Sequence, residues 1–429
     1  MTATAPVTAP PAPSSLWRHR DFMTLWTGQT LSETGSAVST LAIPLIAVSV
    51  LNASTFSVSM LQAAGMAAYL VVALPAGVIV DRMRKRRLMV ACNLIRAAAM
   101  GTIPLAFLAG ELTMTQMWLV AALCGICSVF FEVAYQCYLP AVVRSDQLLD
   151  ANGKLSTTYS VAQVAGIGLG GGLVAAFGAA RTVLIDASSF VVSALSLLLI
   201  RRSEPEPTVP QGPRPRLRDD ISAGLAFAFR HPVLRKIVAA SATLNVFSQV
   251  IYALSVIYLV RVLRLTPAEV AVQLALGTAG GIAGGLASGR LARRIGTARI
   301  IWVSLLGLGW TMLLVPLAEP GWSVAFYTFG MTGFAALCAI YNAAQISYRQ
   351  QMCPPELLGR LTAGVRWIVW GALPVGAVLG GVLGTWLGVR ETLVVAAVGV
   401  WASGLWVYFS PLRHMRDFSP PRLEPITQS

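Results

Sequence analysis

The sequence predicts an all-α integral membrane protein with twelve transmembrane helices in two pseudo-symmetric six-helix bundles. Three observations carry this expectation. Of the 429 residues, 56% are hydrophobic and only 12% are charged, about half the charged share of a soluble domain. The apolar residues come in blocks of about 20, the length that crosses a hydrocarbon core about 30 Å thick. The chain also repeats its own pattern at one nearly constant offset. Together these exclude a soluble enzyme, a disordered protein and a secreted disulfide scaffold.

Taken in order, the spans are 22–48, 57–80, 88–109, 115–138, 156–178, 182–200, 234–260, 268–289, 298–318, 322–346, 362–386 and 391–410. Lipid offers backbone groups no partner, so each span must pair its own N–H and C=O groups as a helix. Residues 1–21 read as a disordered cytoplasmic tail, because the Pro-, Ala- and Thr-rich start lacks the basic region of a signal peptide. The first bundle is 22–200 and the second is 234–410, with 411–429 as a cytoplasmic tail. Between the bundles, 201–233 is a cytoplasmic linker. It is Pro-rich from Glu204 to Pro215 and then places Leu217, Ile221, Leu225 and Phe229 at i+4 spacing. That spacing predicts an amphipathic helix on the membrane interface, with Arg216, Arg218 and Arg230 toward anionic headgroups.

The net charge of +14 invites a nucleic-acid reading, and its distribution removes it. Even-numbered connections and the two tails hold 26 of the 32 basic residues, the odd-numbered connections hold 4, and Arg96 and Arg366 lie inside spans. Basic residues collect on the cytoplasmic side of membrane proteins, so both termini are placed there. Only 3 of the 32 basic residues are lysines. That usage suggests a high-GC genome and hence a multi-pass protein of a bacterial inner membrane.

Gly77-x-x-x-Asp81-Arg82 recurs as Gly285-x-x-x-Gly289-Arg290, shifted by 208; Gly171 and Gly178 recur as Gly381 and Gly388, shifted by 210; Leu148-Leu149 recurs as Leu357-Leu358, shifted by 209. Three separated matches at one offset indicate two duplicated halves of six helices, an arrangement known among large transporters. Gly77-x-x-x-Asp81-Arg82-x-Arg84-Lys85-Arg86 also carries chemistry. Positive-inside charge explains its basic residues but leaves the acid inside a basic cluster unexplained. A carboxylate there can cap a helix or hold an arginine in one conformation and release it in another.

This stretch resembles the cytoplasmic loop signature of the major facilitator superfamily. Phe22-Met23-x-Leu25-Trp26-x-Gly28-Gln29, Asp186-Ala-Ser-Ser-Phe190, and Arg349-Gln350 followed by Pro355-Glu-Leu-Leu-Gly359-Arg360 are similar to its drug-exporter branch. That branch contains the macrolide-efflux and enterobactin-export proteins. The resemblance covers roughly residues 15–412. It implies a proton-driven exporter working by alternating access, with Gly77, Asp81, Arg82, Arg86 and Arg290 as the cytoplasmic gate. The implied cargo is a hydrophobic or amphipathic small molecule such as an antibiotic, a drug or a siderophore-like compound. A lipid-handling transporter or an importer on the same scaffold is the alternative. The chain departs from the pattern at Arg84, where the loop signature often has glycine, and at Ser36, where the branch often has Asp after the glycine.

Ionisable groups inside spans are costly and point to function by default. Glu33 lies three residues before Ser36, on nearly the same helix face, and is placed to supply the missing acid. Arg96 is about 13 Å, and Glu132 about 12 Å, from the cytoplasmic ends of their helices at 1.5 Å per residue. Equal depth makes a Glu132–Arg96 pair, read either as a static ion pair or as a proton-coupling pair. Glu33, Glu132 and Arg96 are therefore the coupling candidates. Asp186 is placed near the outer end of span six.

Gly166-x-Gly168-x-Gly170-Gly171 fits a dinucleotide-binding pattern but follows no strand, so it fails its context test. Small residues in a membrane helix allow close packing, and this stretch resembles the fifth-helix glycine motif of the superfamily's antiporters, with Ile167 where proline is usual. Cys124-x-x-Cys127 reads as core packing, and His19, His231 and His414 read as interfacial cations, so no metal site is expected. No G-x-x-x-x-G-K-[ST] occurs, which favours an ion gradient over ATP. No cofactor is expected, and no enzyme, because no histidine lies within a span. The substrate-contact candidates are Gln29, Asn245, Gln249 and Asn342. Partners are the small molecule, protons and membrane lipids, with one copy sufficing and no nucleic acid.

Overall fold

The computed structural model describes residues 16–144, 147–201, 226–353 and 355–417, and these are helical with no strand among them. Among the described residues, thirteen α-helices of ten residues or more make twelve crossings. In the first half they are α1 (Arg20–Leu45), α2 (Thr55–Val71), α3 (Ala73–Arg82), α4 (Lys85–Ala109), α5 (Met114–Val142), α6 (Leu148–Phe177) and α7 (Ala179–Leu199). In the second they are α8 (Leu234–Ile257), α9 (Pro267–Ile295), α10 (Arg299–Gly309), α11 (Val324–Met352), α12 (Pro355–Trp386) and α13 (Val389–Tyr408). Eleven of the described helical stretches are long and apolar enough to span a membrane. The second crossing is built from α2 and α3 end to end. Pro75 has no N–H for the Val71 carbonyl, and the helix breaks at Val72.

Several helices run past their expected bounds on the basic side: α6 starts at Leu148 and not 156, α11 runs to Met352 and not 346, and α12 starts at Pro355 and not 362. α9 runs on to Ile295 and keeps Arg290, Arg293 and Arg294 helical, beyond the expected end at 289. Long arginines can reach water from a continuing helix, so charge alone marks the end of the apolar core, not the end of the helix. Most of the 201–233 linker, and with it most of the amphipathic stretch, lies outside the described residues; 226–230 is helical.

The duplication reaches the backbone. α1 leaves its regular path in a wider five-residue turn at Ile46–Val50, where Leu51 N–H donates to Ile46 O at 3.0 Å. α8 does the same at Tyr258–Val262, where Leu263 N–H donates to Tyr258 O at 2.9 Å. One residue later each chain holds a left-handed non-glycine, Asn52 (φ 47°) and Arg264 (φ 56°). Two residues after that a hydroxyl caps the next helix, Ser54 for α2 and Thr266 for α9. Each matched pair is 212 positions apart. A left-handed conformation is unusual for a non-glycine, so finding it twice at one offset reflects a shared hairpin.

The histidines follow the same offset. His19 Nδ1 accepts from Phe22 N–H at 3.2 Å before α1, and His231 Nδ1 accepts from Val233 and Leu234 N–H at 3.3 Å before α8. The lone pair of each ring is used to satisfy an orphan helix donor. These two histidines are helix caps, which corrects their reading as interfacial cations; among the described residues no metal-ligand cluster forms.

Glycines set how closely the halves approach. α6 lies along α1 and α9, and α12 lies along α8 and α2. A Cβ on Gly166 would come within 2.8 Å of Thr34 O on α1, and one on Gly376 within 2.2 Å of Val246 O on α8. Between the halves, a Cβ on Gly171 would meet Ala271 of α9 at 2.3 Å, and one on Gly381 would meet Ser59 of α2 at 2.9 Å. Gly170 backs onto Val38 of α1 at 3.4 Å. Gly168 is the exception in its motif, because nothing lies within 4 Å of it. A helix has a face turned away from each neighbour, and Gly168 is on it.

These contacts draw the halves together at the end of the molecule away from the basic loops. There the Arg261 guanidinium donates to Ala53 O at 2.7 Å, tying α8's end to the α1–α2 hairpin. Leu41, Leu45, Ile46, Leu254, Ile257 and Tyr258 form one buried apolar core beside it.

Candidate transport cavity

Toward the opposite, basic end lies a cavity of about 570 Å³, lined by the first bundle and by Trp370 from the second. Its walls come mainly from α1, α5 and α6. Gln29, Glu33 and Ser36 face it from α1, Glu132 and Tyr135 from α5, and Ser156 and Tyr159 from α6. Asn152, near the start of α6, also lines it. The cavity therefore runs from the middle of the bundle toward the basic loops.

Glu33 is half-buried, and Gln29 Nε2 donates to its Oε1 at 2.7 Å, one helical turn away. That bond orients the carboxylate along the α1 surface. The expected Glu132–Arg96 pair does not form. Glu132 instead accepts from Arg366 Nη2 at 2.8 Å, so its partner comes from α12 in the other half. Tyr69 of α2 approaches the second carboxylate oxygen at 3.4 Å. Arg366 stacks on Trp370 at 3.9 Å, and Trp370 meets Tyr69 edge-on at 4.9 Å. Trp367 Nε1 donates to Leu70 O at 3.1 Å, a second bond between the halves. Equal depth on sequential helices gave the wrong partner because depth says nothing about azimuth, and Glu132 points across the bundle interface.

Arg96 is 7% exposed and turns into its own bundle. It bonds Asn93 Oδ1 and reaches Ser128 Oγ at 3.4 Å. Its guanidinium lies over Phe131 at 4.7 Å and Phe190 at 4.3 Å. Two aromatic faces and hydroxyl or amide acceptors hold a cation without a carboxylate.

Ser36 brings a second correction. Its hydroxyl donates to Asp186 Oδ1 of α7 at 3.2 Å. The acid beside Ser36 is thus Asp186 and not Glu33. Asp186 lies seven residues into α7, about 10 Å along the helix at 1.5 Å per residue, deeper than a position near the outer end. Gly35 makes the approach possible, since a Cβ there would come within 3.1 Å of the Asp186 Cα.

Of the substrate-contact candidates, Gln29 lines the cavity and the other three do not. Asn245 turns its amide back to Ser241 O on its own helix at 2.9 Å, Gln249 is 2% exposed beneath Gly376, and Asn342 accepts from Gln345 at 3.3 Å. Tyr69, Gln136, Ser156, Tyr159 and Gln163 are cavity residues that the sequence reading missed. Polar residues on α6 recur at Asn152, Ser156, Tyr159 and Gln163, a helical spacing that marks one face.

In the gate motif, Gly77 and its counterpart Gly285 have nothing within 4 Å. Arg82 and Arg290 are exposed, and Arg86 bonds Leu198 O within the first half. The side chains of Asp81 and Arg360 lie outside the described residues.

Twelve crossings in two duplicated bundles around a central cavity define a membrane transporter of the major facilitator type. The chain belongs to the family described as transmembrane secretion effector, whose model matches residues 11–425. It is 25% identical to the multidrug efflux pump Tap of Mycolicibacterium fortuitum, over 90% of this chain and 95% of that protein. It is 22% identical to macrolide efflux protein A of Streptococcus pyogenes, over 86% and 91%. Among solved structures, a bacterial homologue of the iron transporter ferroportin in an inward-facing state aligns with a TM-score of 0.73 at 17% identity, covering 92% of this chain and 98% of that one. The nucleoside transporter NupG aligns with a TM-score of 0.72 at 10% identity, covering 90% and 97%.

Proposed function

We propose that this protein exports hydrophobic or amphipathic small molecules across a bacterial inner membrane in exchange for protons, by alternating access. The observation that supports the reading most directly is the cavity: its lining runs from the middle of the first bundle toward the basic end and carries carboxylates beside aromatic rings, while Arg261 bonded to Ala53 O ties the halves together at the other end. By the positive-inside rule the open end faces the cytoplasm, with both termini on that side. A substrate enters from there or from the inner leaflet, and Tyr69, Tyr159 and Trp370 offer it apolar faces. Glu33 and Glu132 supply the sites where a proton and a substrate compete.

Closing the cytoplasmic side requires the basic ends of the bundles to meet. Gly77 and Gly285 support a gate there, because bare helix faces at matching positions leave room for a neighbour to dock closely. Glu132–Arg366 supports coupling: protonating Glu132 would remove one of the bonds joining α5 to α12. One chain contains the whole cavity, so a monomer suffices, with lipids around it.

The test is accumulation of ethidium and erythromycin in a pump-deficient bacterial host. Expression should lower steady-state accumulation, and a protonophore should restore it. Unchanged accumulation on expression sinks the export reading; efflux that survives the protonophore sinks proton coupling; raised accumulation identifies an importer.

A further inference from the structure

The Asp186-Ala-Ser-Ser-Phe190 stretch has no place in the cavity lining, yet it builds a second chamber directly behind it. This chamber, of about 210 Å³, is lined by Ser36, Ser39, Arg96, Cys124, Ser128 and Asp186 among others. Ser36, Arg96 and Ser128 line the central cavity as well. These three residues stand between the two spaces. At about 30 Å³ for each water, the chamber has room for several.

Asp186 is 2% exposed, and a carboxyl at this depth is expensive unless its partners hold it. Its hydroxyl partner is Ser36, whose Oγ donates to Oδ1 at 3.2 Å; Ser189 Oγ donates to the Asp186 backbone carbonyl at 2.8 Å and lies 3.4 Å from the same Oδ1. No ion pair reaches it among the described residues. That distinguishes it from Glu132, which an arginine pins. A serine hydroxyl donates to a carboxylate and accepts from a carboxylic acid with only a turn of its own O–H. The Asp186 site is thus satisfied in both protonation states, as a site that cycles must be. Two further polar groups face the same region, the Ser39 hydroxyl, which lies against the Asp186 carboxyl, and Arg96 Nε, which has no hydrogen-bond partner among the described residues.

The charged and titratable groups around Asp186 come from three elements: Glu33 from α1, Arg96 from α4 and Cys124 from α5. α6 contributes nothing to the chamber wall. Arg96 is the only cation in either lining. Arg96 and Asp186 line the same chamber, so the charge on Asp186 acts on the guanidinium across it.

We propose that Asp186 is a proton-carrying site of the transport cycle, loaded from the central cavity past Ser36, Arg96 and Ser128. The proposal rests on the proton-antiport reading given above. One proton binds a carboxylate oxygen on loading and leaves from it to the opposite side, with no other bond made or broken. Asp186 and Arg96 then form a charge-switched pair inside the first bundle, and Glu132–Arg366 reports its state to the second.

The test uses the full-length chain in proteoliposomes with ethidium as probe, or erythromycin if ethidium is not moved. Probe flux and lumenal pH are followed together. Wild type should couple probe movement to protons; if it does not, the antiport reading falls, and this proposal with it. Asp186→Asn should keep probe exchange at equilibrium while losing gradient-driven accumulation at least tenfold. Asp186→Glu should recover part of it. Wild-type accumulation in Asp186→Asn, with wild type coupled, overturns the Asp186 assignment alone. Should Asp186→Asn fail to fold, Ser36→Ala decides. Losing a donor to the charged form should move the pH midpoint of transport upward by about one unit, the size of one charge-assisted hydrogen bond. A midpoint that stays put overturns the proposal.

Discussion

Both bundles turn their first hairpin through the same wide turn, left-handed residue and hydroxyl cap, and both seat a glycine-rich helix against the other half. The charges inside the membrane do not repeat. Glu33, Arg96, Glu132 and Asp186 all lie in the first bundle, whereas Arg366 is the one ionisable Asp, Glu, Lys or Arg well inside a described span of the second. At the 212 offset Glu33 falls on the neutral Asn245, and the second bundle joins α8 to α11 in its interior by a hydroxyl contact, Ser241 with Tyr341 at 2.7 Å. Duplication has kept what packing demands and released what chemistry demands. Close-packed backbone positions tolerate no side chain, while a cavity wall tolerates many. We read the first bundle as the half that handles protons and the second as the half that moves against it.

The comparison can be broken most severely at its shared scaffold. Gly376→Val and Gly166→Val each drive a side chain into backbone oxygen of the neighbouring helix. Overpacking of this kind costs about 1–3 kcal/mol, and the backbone contact places both at the upper end. Loss of monodisperse protein on size-exclusion chromatography and a lowered Tm are expected for both. Gly168→Ala, which meets nothing, should match wild type.

The asymmetry itself is tested next. Glu33→Gln should lower ethidium efflux at least tenfold, while Asn342→Ala in the second bundle should stay within twofold. Equal losses from the two would show that the charge-poor half takes an equal part in the chemistry.

A smaller effect is expected at the bond between the halves. The Glu132 and Arg366 side chains are 36% and 43% exposed, so water screens them and the pair contributes at most about 1 kcal/mol. A double-mutant cycle with Glu132→Gln and Arg366→Gln, read by thermal unfolding, should give a coupling energy within that bound. Efflux should respond far more than stability does. A coupling of several kcal/mol would make the pair a structural bond instead.

The smallest effect is at the helix caps. Partial burial pushes His231 below its ordinary value of 6.5, so the neutral ring that caps α8 is favoured in the folded chain. An unfolded chain then binds more protons, and stability should fall slightly as pH drops through 6.5 and below. His231→Gln should flatten that slope of Tm against pH.

Much of this molecule was legible in the sequence. Apolar blocks, basic loops and the Gly171/Gly381 repeat determined twelve crossings in two related halves, because lipid leaves the backbone no alternative to helix and because glycine spacing registers helix contact directly. The identities of the intramembrane charges, Glu33, Arg96, Glu132 and Asp186, were also plain, since each is costly where it stands. Their partners were not. Depth along a helix follows from counting residues, but direction around it depends on how seven helices tilt and rotate against one another. That rotation turned Glu132 away from Arg96 toward Arg366 of the other half, and set Asp186 where Ser36 and Gly35 admit it. Gly168 faced outward and Gly166 inward for the same reason. Sequence determined which groups the membrane must accommodate; only the tertiary packing decided which of them meet.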